Sequence, residues 1–268
     1  MSFVTRSDHD LIWYTSSKLS GVPHGFSTRP GGVSGPPWDS LNLGPGRGDV
    51  PGHVAENYRR FCAAIGTDPE RVVLARQVHE TTVRTVTAAD AGKGLYSPRD
   101  YTADALITME TGLPLVVFSA DCGILLLHDP VTGAVGAVHA GWRGCAAGIV
   151  EKAVAALCGL SGADPSRLRA AVGPCIGPCC FETDGDVPDA MRTGLGPAAE
   201  AYCKYDNARG KWLIDLAGLN REWLLRAGVP AEQADVLRLC TACHPKLFWS
   251  HRKMGDARGA QVAMIMKA

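Results

Sequence analysis

The sequence predicts an α+β fold, a layered sandwich with mixed β-sheets flanked by helices, built as a single domain over residues 1–268. Three observations predict it. Short segments of β-forming apolar residues outnumber helical ones. They lack a regular alternation with helices, which points to layers of mixed sheet. The chain has 268 residues, 46% hydrophobic and 20% charged, which suffices for a large buried core and is ordinary globular composition.

In chain order, the segment 27–49 (STRPGGVSGPPWDSLNLGPGRGD) is dense in Gly and Pro and too long for an ordinary connection. Its Trp38, Leu41 and Leu43 predict that it packs down onto the body. A helix is predicted over 51–65: Pro51 suits a first turn, and Val54, Tyr58, Phe61 and Ile65 share one face. Strands are predicted over 72–75, 82–87, 105–108, 115–119, 124–128 and 134–139. A helix over 145–157 is apolar all round, hence buried. A strand over 168–172 follows, then an amphipathic helix over 215–227, capped by Asp215 and stopped by Gly228. The last strand is placed at 261–266.

Lys plus Arg number 27 and Asp plus Glu number 27, so no global basic excess exists to hold a polyanion, and nucleic acid is not expected as a partner. No apolar run approaches the ~20 residues that span a bilayer. The longest candidate, from Gly112 to Leu127, is interrupted by Ser119, Asp121 and Cys122, so no membrane partner is expected. The opening MSFVTRSDHDLIWYTSS has no basic segment followed by an apolar stretch, and a cytoplasmic location is expected. The ten cysteines are therefore read as thiols, with one or more free to bind metal. Nothing in the sequence sets an oligomeric state.

The informative stretch is ADCGILLLHDPVTGAVGAVHAGWRG, residues 120–144. Two apolar strands flank Asp129-Pro130-Val131-Thr132-Gly133, a turn by its Pro and Gly. A hairpin folded about Val131 or Thr132 sets residue 122 opposite 141 and residue 139 opposite 124. Cys122 and His139 then share the open end, where cross-strand and diagonal Cβ atoms are ~5–8 Å apart. A thiolate and an imidazole at that distance can share one metal ion. His79, in Arg76-Gln77-Val78-His79-Glu80, is the candidate third ligand. Two His and one Cys with an open fourth position form a catalytic zinc pattern. The competing reading is a buried Cys with two satisfied core histidines. Asp121 should face away from Cys122 if the strand is regular, and is not read as a general base.

After His139, Ala140-Gly141-Trp142-Arg143-Gly144 leads into a helix. Glycines allow close backbone approach, and a helix start beside Arg143 offers an anion site suited to phosphate; the alternative is a tight turn with a surface Arg. Arg29 and Arg76 are further candidates for substrate contacts. Cys240-Thr241-Ala242-Cys243-His244 has the CxxCH form of covalent haem attachment, which normally accompanies export. Cys175, Cys179 and Cys180 in Gly173-Pro174-Cys175-Ile176-Gly177-Pro178-Cys179-Cys180 could join Cys240 and Cys243 around a structural zinc, but the spacing is not that of a zinc ribbon. The same cluster lacks the nucleobase-deaminase pattern. His128 is read as a spectator, and His24, His53 and His251 have no partner assignable from spacing.

The stretch SADCGILLLHDPVTGAVGAVHAGWRG resembles the core of the multicopper-polyphenol-oxidase-like (laccase-domain) family, also called the peptidoglycan-editing-factor or zinc-dependent purine nucleoside phosphorylase family. GFSTRPGGVSGPPWDSLNLG, RQVHETTV, VGPCIGPCCFE and CTACHPKLFWSHRK resemble further motifs of the same family in the same order, so the likeness covers roughly residues 20–267. The resemblance implies a single-domain α+β sandwich and a zinc ion held by His79, Cys122 and His139, the catalytic residues. It implies phosphorolysis of adenosine, inosine, guanosine and methylthioadenosine, with deamination of adenosine to inosine in some members. The family's other names imply copper-dependent phenol oxidation, or editing of peptidoglycan precursors with Cys122 as nucleophile and His139 as base. Thiolate and imidazole donors suit zinc and copper alike. The chain departs from the pattern at Gly46, where the family usually has His, at Ala260, where it has Arg, and at Gly123, where a Pro is common.

Overall fold

The computed structural model describes residues 3–268. Two six-stranded mixed sheets pack face to face, with helices on both outer faces. The first sheet carries, in spatial order, Phe3–Asp8, Leu11–Ser16, His24–Ser27, Gln261–Ile265, Leu115–Ser119 and Val73–Leu74. The second carries Ala234–Val236, Arg169–Val172, Gly123–His128, Val135–Ala140, Ala105–Thr108 and Val83–Thr85. A small third sheet is formed by Glu182–Thr183, Lys211–Ile214 and Cys203–Asp206. The layered α+β class and most predicted elements are found, with ends shifted by one or two residues.

Side-chain alternation explains the layers. Along the central strands, Ile124, Leu126, Val135 and Ala137 point between the sheets, where they meet Phe26, Leu106, Val117 and Ala263. Leu125, Leu127, Val138 and Ala140 point outward to the helices, against Ile149, Val150, Leu157 and Trp223. On the far side, Val116, Val262 and Met264 pack on Val54, Tyr58 and Phe61 of the helix Pro51–Ile65. These strands are buried on both faces, which is why they read as unbroken apolar runs.

The Gly-rich segment packs down as expected through Leu41 and Leu43, both fully buried. The helix Pro51–Ile65 pins it: the Asn57 side-chain amide donates to the Ser40 and Asn42 carbonyls, and the Tyr58 hydroxyl donates to the Leu43 carbonyl.

One predicted element divides. The helix expected over 145–157 is two helices, Trp142–Ala146 and Ile149–Ser161. Gly148 breaks it with φ +75°, and a Cβ there would lie 3.1 Å from the Trp223 ring. Trp223 belongs to the helix Leu216–Arg226, which Asp215 caps by accepting from the Gly218 amide. The indole therefore packs directly against the break.

The strands before residue 28, the third sheet and the helix Asp186–Leu195 were not anticipated. Among the described residues no helix is long and apolar enough to cross a membrane.

Candidate metal and substrate site

The hairpin forms in the register read from the turn: Gly123 pairs with Ala140 and Ile124 with His139. His139 thus stands next to last in one central strand, and Cys122 immediately precedes the other. The turn holding His79 comes over from between the first two predicted strands. The ligand atoms of His79, Cys122 and His139 all lie within 4.8 Å of one another. Cys122 Sγ is 3.8 Å from His79 Nε2, and the two imidazoles meet edge to face at 85°. A tetrahedral ion with metal–sulfur and metal–nitrogen bonds of about 2.3 and 2.0–2.1 Å sets sulfur and nitrogen roughly 3.6 Å apart, so the donors fit such an ion.

Asp104, which sequence reasoning missed, organises this arrangement. Its carboxylate is fully buried. It accepts the backbone amides of Val78, His79 and Glu80 at 3.1, 3.0 and 3.0 Å, and it meets His139 Nδ1 at 2.8 Å. Three convergent amides hold the turn although His79 has φ +64°, an uncommon conformation for a residue with a Cβ. The contact at Nδ1 turns Nε2 of His139 toward Cys122, as a carboxylate commonly does behind a metal-ligating imidazole. No motif marks Asp104; it lies between Ala103 and Ala105, one residue before a strand.

Charge is tuned within the group. Burial raises the Cys122 thiol, but the His139 and His79 rings overcome this and bring it down to about 6. Burial lowers the His139 imidazole, but the Cys122 thiolate and Asp104 raise it to about 9. Gly141 has a specific reason to lack a side chain: a Cβ there would lie 2.8 Å from Cys122 Sγ and 3.2 Å from the His79 ring.

Asp121 lies two residues before the strand Gly123–His128, so the alternation of a regular strand does not reach it, and it lines the same cavity as Cys122. Its φ is +94°, and both carboxylate oxygens are engaged, one by the Thr241 hydroxyl at 2.6 Å and one by the Arg252 amide at 2.7 Å. Beside it a cavity of roughly 160 Å³ is lined by Cys122, Trp142, Ile176, Phe181, Leu216 and His251 among others. Its walls are mostly aromatic and aliphatic, with Asp121, Cys122, His251 and Arg252 as the polar groups, the mixture found in small-molecule pockets.

The three arginines named from sequence lie outside that lining. Arg143 is exposed, and its guanidinium stacks 4.2 Å over the Trp142 ring. Arg29 stacks on Trp249 and donates to Asp39 and the Pro245 carbonyl, a brace within the Gly-rich segment. Arg76 is exposed at the start of the His79 turn, with its backbone bridged to Thr102. Arg252 lines the cavity, and two further arginines, Arg258 and Arg47, are withdrawn from solvent near one another. Arg258 is only 7% exposed; burial and the neighbouring Arg47 lower it to about 10, against the attraction of Asp121 and Cys122. Its Nε lies 3.4 Å from His251 Nδ1, which joins it to the cavity wall. Arg47 is half-buried, and burial lowers it too. Neither arginine forms an ion pair within 4.0 Å among the described residues.

Each departure from the family pattern has local company. Gly46 has φ +75°, and Arg47 follows it directly. Ala260 is fully buried, with Arg258 two residues earlier. The space a side chain at Gly123 would fill is taken by the Asn220 amide, 2.5 Å from the Cβ position.

Fold and site together define a four-layer α/β/β/α protein with a thiolate and two imidazoles converging at the end of a central hairpin. The family model described as multi-copper polyphenol oxidoreductase laccase matches residues 23–268. The chain belongs to that family. Purine nucleoside phosphorylase YlmD of Geobacillus stearothermophilus is 36% identical over 92% of this chain and 90% of its own. Purine nucleoside phosphorylase YfiH of Escherichia coli is 38% identical over 87% and 89%. The crystal structure of Bacillus licheniformis hypothetical protein YfiH superposes with a TM-score of 0.92 at 32% identity, covering 98% of this chain and 99% of that one.

Proposed function

We propose that this chain is a zinc-dependent purine nucleoside phosphorylase that cleaves adenosine, inosine, guanosine and methylthioadenosine with phosphate, and that it also deaminates adenosine. The observation that carries the reading is the His79–Cys122–His139 group, whose Cys122 lines a cavity walled by Trp142 and Phe181, in a chain similar along its length to proteins named purine nucleoside phosphorylase. His79, Cys122 and His139 would hold the ion, and Asp104 would fix the tautomer and direction of His139. When bound, zinc supplies a Lewis acid that polarises an oxygen of substrate or water without redox chemistry.

Trp142, Phe181, Ile176 and Leu216 would seat the purine base. Phosphate is assigned to Arg258, which is buried, and Arg47, which is half-buried, because guanidinium groups withdrawn from water and without an ion pair among the described residues are stabilised by an anion brought to them. Arg143 would act at the rim through its stack on Trp142. Protein prepared in zinc should therefore turn adenosine and phosphate into ribose 1-phosphate and a free base, with inosine as a second product. Arg258→Ala should raise the phosphate requirement about ten- to a hundred-fold, while Arg143→Ala raises it less. Phosphorolysis by chelator-treated protein, or an unchanged phosphate requirement in Arg258→Ala, would refute these assignments.

A second reading has its own support. A thiol lowered to about 6 beside an imidazole is also the pair needed for a Cys nucleophile acting on peptidoglycan precursors. Metal-free protein that hydrolyses such a precursor and forms a covalent adduct at Cys122 would favour it. The third family activity, copper-dependent phenol oxidation, requires dioxygen uptake by copper-loaded protein.

A further inference from the structure

A second sulfur cluster lies apart from the His79–Cys122–His139 group. The loop after the strand Arg169–Val172 and the turn Cys240–Cys243 bring Cys179, Cys180, Cys240 and Cys243 together, and their four Sγ atoms all lie within 4.8 Å of one another. The spacing in sequence had argued against this meeting, because two adjacent cysteines and a CxxC pair do not make a zinc ribbon. The fold supplies what spacing lacks: a parallel bridge between Cys175 and Cys240 lays the two segments side by side. Gly177 makes the approach possible, since a Cβ there would lie 3.3 Å from Cys240 Cβ.

We infer that Cys179, Cys180, Cys240 and Cys243 form a structural tetrathiolate site for zinc. Four sulfurs about 2.3 Å from a central ion sit about 3.8 Å apart in a tetrahedron. Cys243 Sγ lies 3.4 Å from the sulfurs of both Cys179 and Cys180. That separation is short of the tetrahedral edge by a few tenths of an ångström and far longer than the ~2.05 Å of a disulfide. The surroundings suit a thiolate cluster. The Gly177 amide donates to Cys240 Sγ at 3.2 Å, and His244 turns its Nδ1 to the Cys240 carbonyl at 2.9 Å, away from the sulfurs. Binding exchanges four thiol protons for one divalent ion and leaves a net charge of minus two. Arg252 lies alongside, donating to the Cys180 and Glu182 carbonyls at 2.7 and 3.2 Å.

The ion would clamp two segments some sixty residues apart in sequence. Both reach the cavity beside Cys122: Ile176 and Phe181 line it from the first, and Arg252 from the chain beyond the second. Thr241 and Arg252 are also the two partners of Asp121. The site is thus placed to hold the cavity wall.

Metal content in a Cys122→Ala background, grown with added zinc and purified under reducing conditions, tests this independently of the proposed catalytic ion. One zinc per chain should remain, and Cys243→Ser in that background should remove it. Cobalt-substituted Cys122→Ala protein should show the intense sulfur-to-cobalt absorption of a tetrathiolate. Cys179→His, which still offers a ligand, should keep the metal and weaken that absorption. No zinc in Cys122→Ala, unchanged zinc in its Cys243→Ser derivative, iron in place of zinc, or a mass two units low for a disulfide would each overturn the assignment.

Discussion

Asp104 is the residue whose loss should most affect the metal group without removing a ligand. Its carboxylate serves the His139 ring and three amides of the His79 turn at once. In Asp104→Asn a neutral amide can accept from only one of its two arms. Metal affinity should fall about ten- to a hundred-fold, and calorimetric titration of zinc into metal-free protein would show it. An unchanged affinity would make Asp104 a prop for the turn alone.

Proton release separates a preformed ion pair from two neutral groups. Between about 6 and about 9 the metal-free pair is thiolate at Cys122 and imidazolium at His139. Coordination requires neutral imidazole, so the His139 proton must leave. Zinc binding near neutral pH should release about one proton from this pair. As pH falls through 6, Cys122 also carries a proton, so release rises and affinity drops; above 9 release disappears. Titrations in buffers of different ionisation enthalpy measure this directly. Near-neutral release of two protons from the pair would mean that Cys122 is a thiol before the ion arrives.

At the scale of elements, the hairpin and its exit carry the site. Gly141→Ala puts a methyl group against Cys122 Sγ and should lower metal affinity about tenfold or more. Gly66→Ala is the control: φ is +75°, but nothing lies within 4 Å of the added carbon. It should cost roughly 1–2 kcal/mol of stability in urea unfolding and leave metal binding unchanged. Equal metal loss in both variants would indicate general destabilisation.

The hairpin was legible because Asp129-Pro130 through Gly133 fixes the turn, and apolar strands on both sides fix the register. The helix break at Gly148 was not, because the residue packed against it, Trp223, is seventy-five residues away in sequence. The strand Phe3–Asp8 was missed because TRSD carries no apolar signal; it is a largely exposed edge strand. Asp104, Arg47 and Arg258 were missed for a related reason. Each is one polar residue whose role comes only from what the fold sets beside it.

Across the whole molecule, the two sheets share one interior while their edges differ. Gly123–His128 and Val135–Ala140 are buried along their full length, with strands on both sides. Among the described residues Phe3–Asp8 pairs only with Leu11–Ser16, and it is mostly exposed. Amide exchange should therefore be slowest in the central hairpin and fastest, among the strands of the large sheets, in Phe3–Asp8. Mass-resolved exchange would show the order. Rapid exchange in the hairpin would deny that the site rests on the most stable part of the fold.

The carboxylate behind the His79 turn has a consequence for how metal content is interpreted. Asp104 draws the three amides together and holds the His139 ring. These contacts order the two imidazoles without help from a bound ion, which lowers the ordering cost that metal binding must meet. A mould of this kind cannot choose its ion by folding around it. Among soft-donor divalent ions, copper outcompetes zinc at most sites of mixed nitrogen and sulfur, so occupancy follows supply. A preparation's metal content then records the medium in which it was grown, and only turnover after stripping and reloading with each ion identifies the one that works.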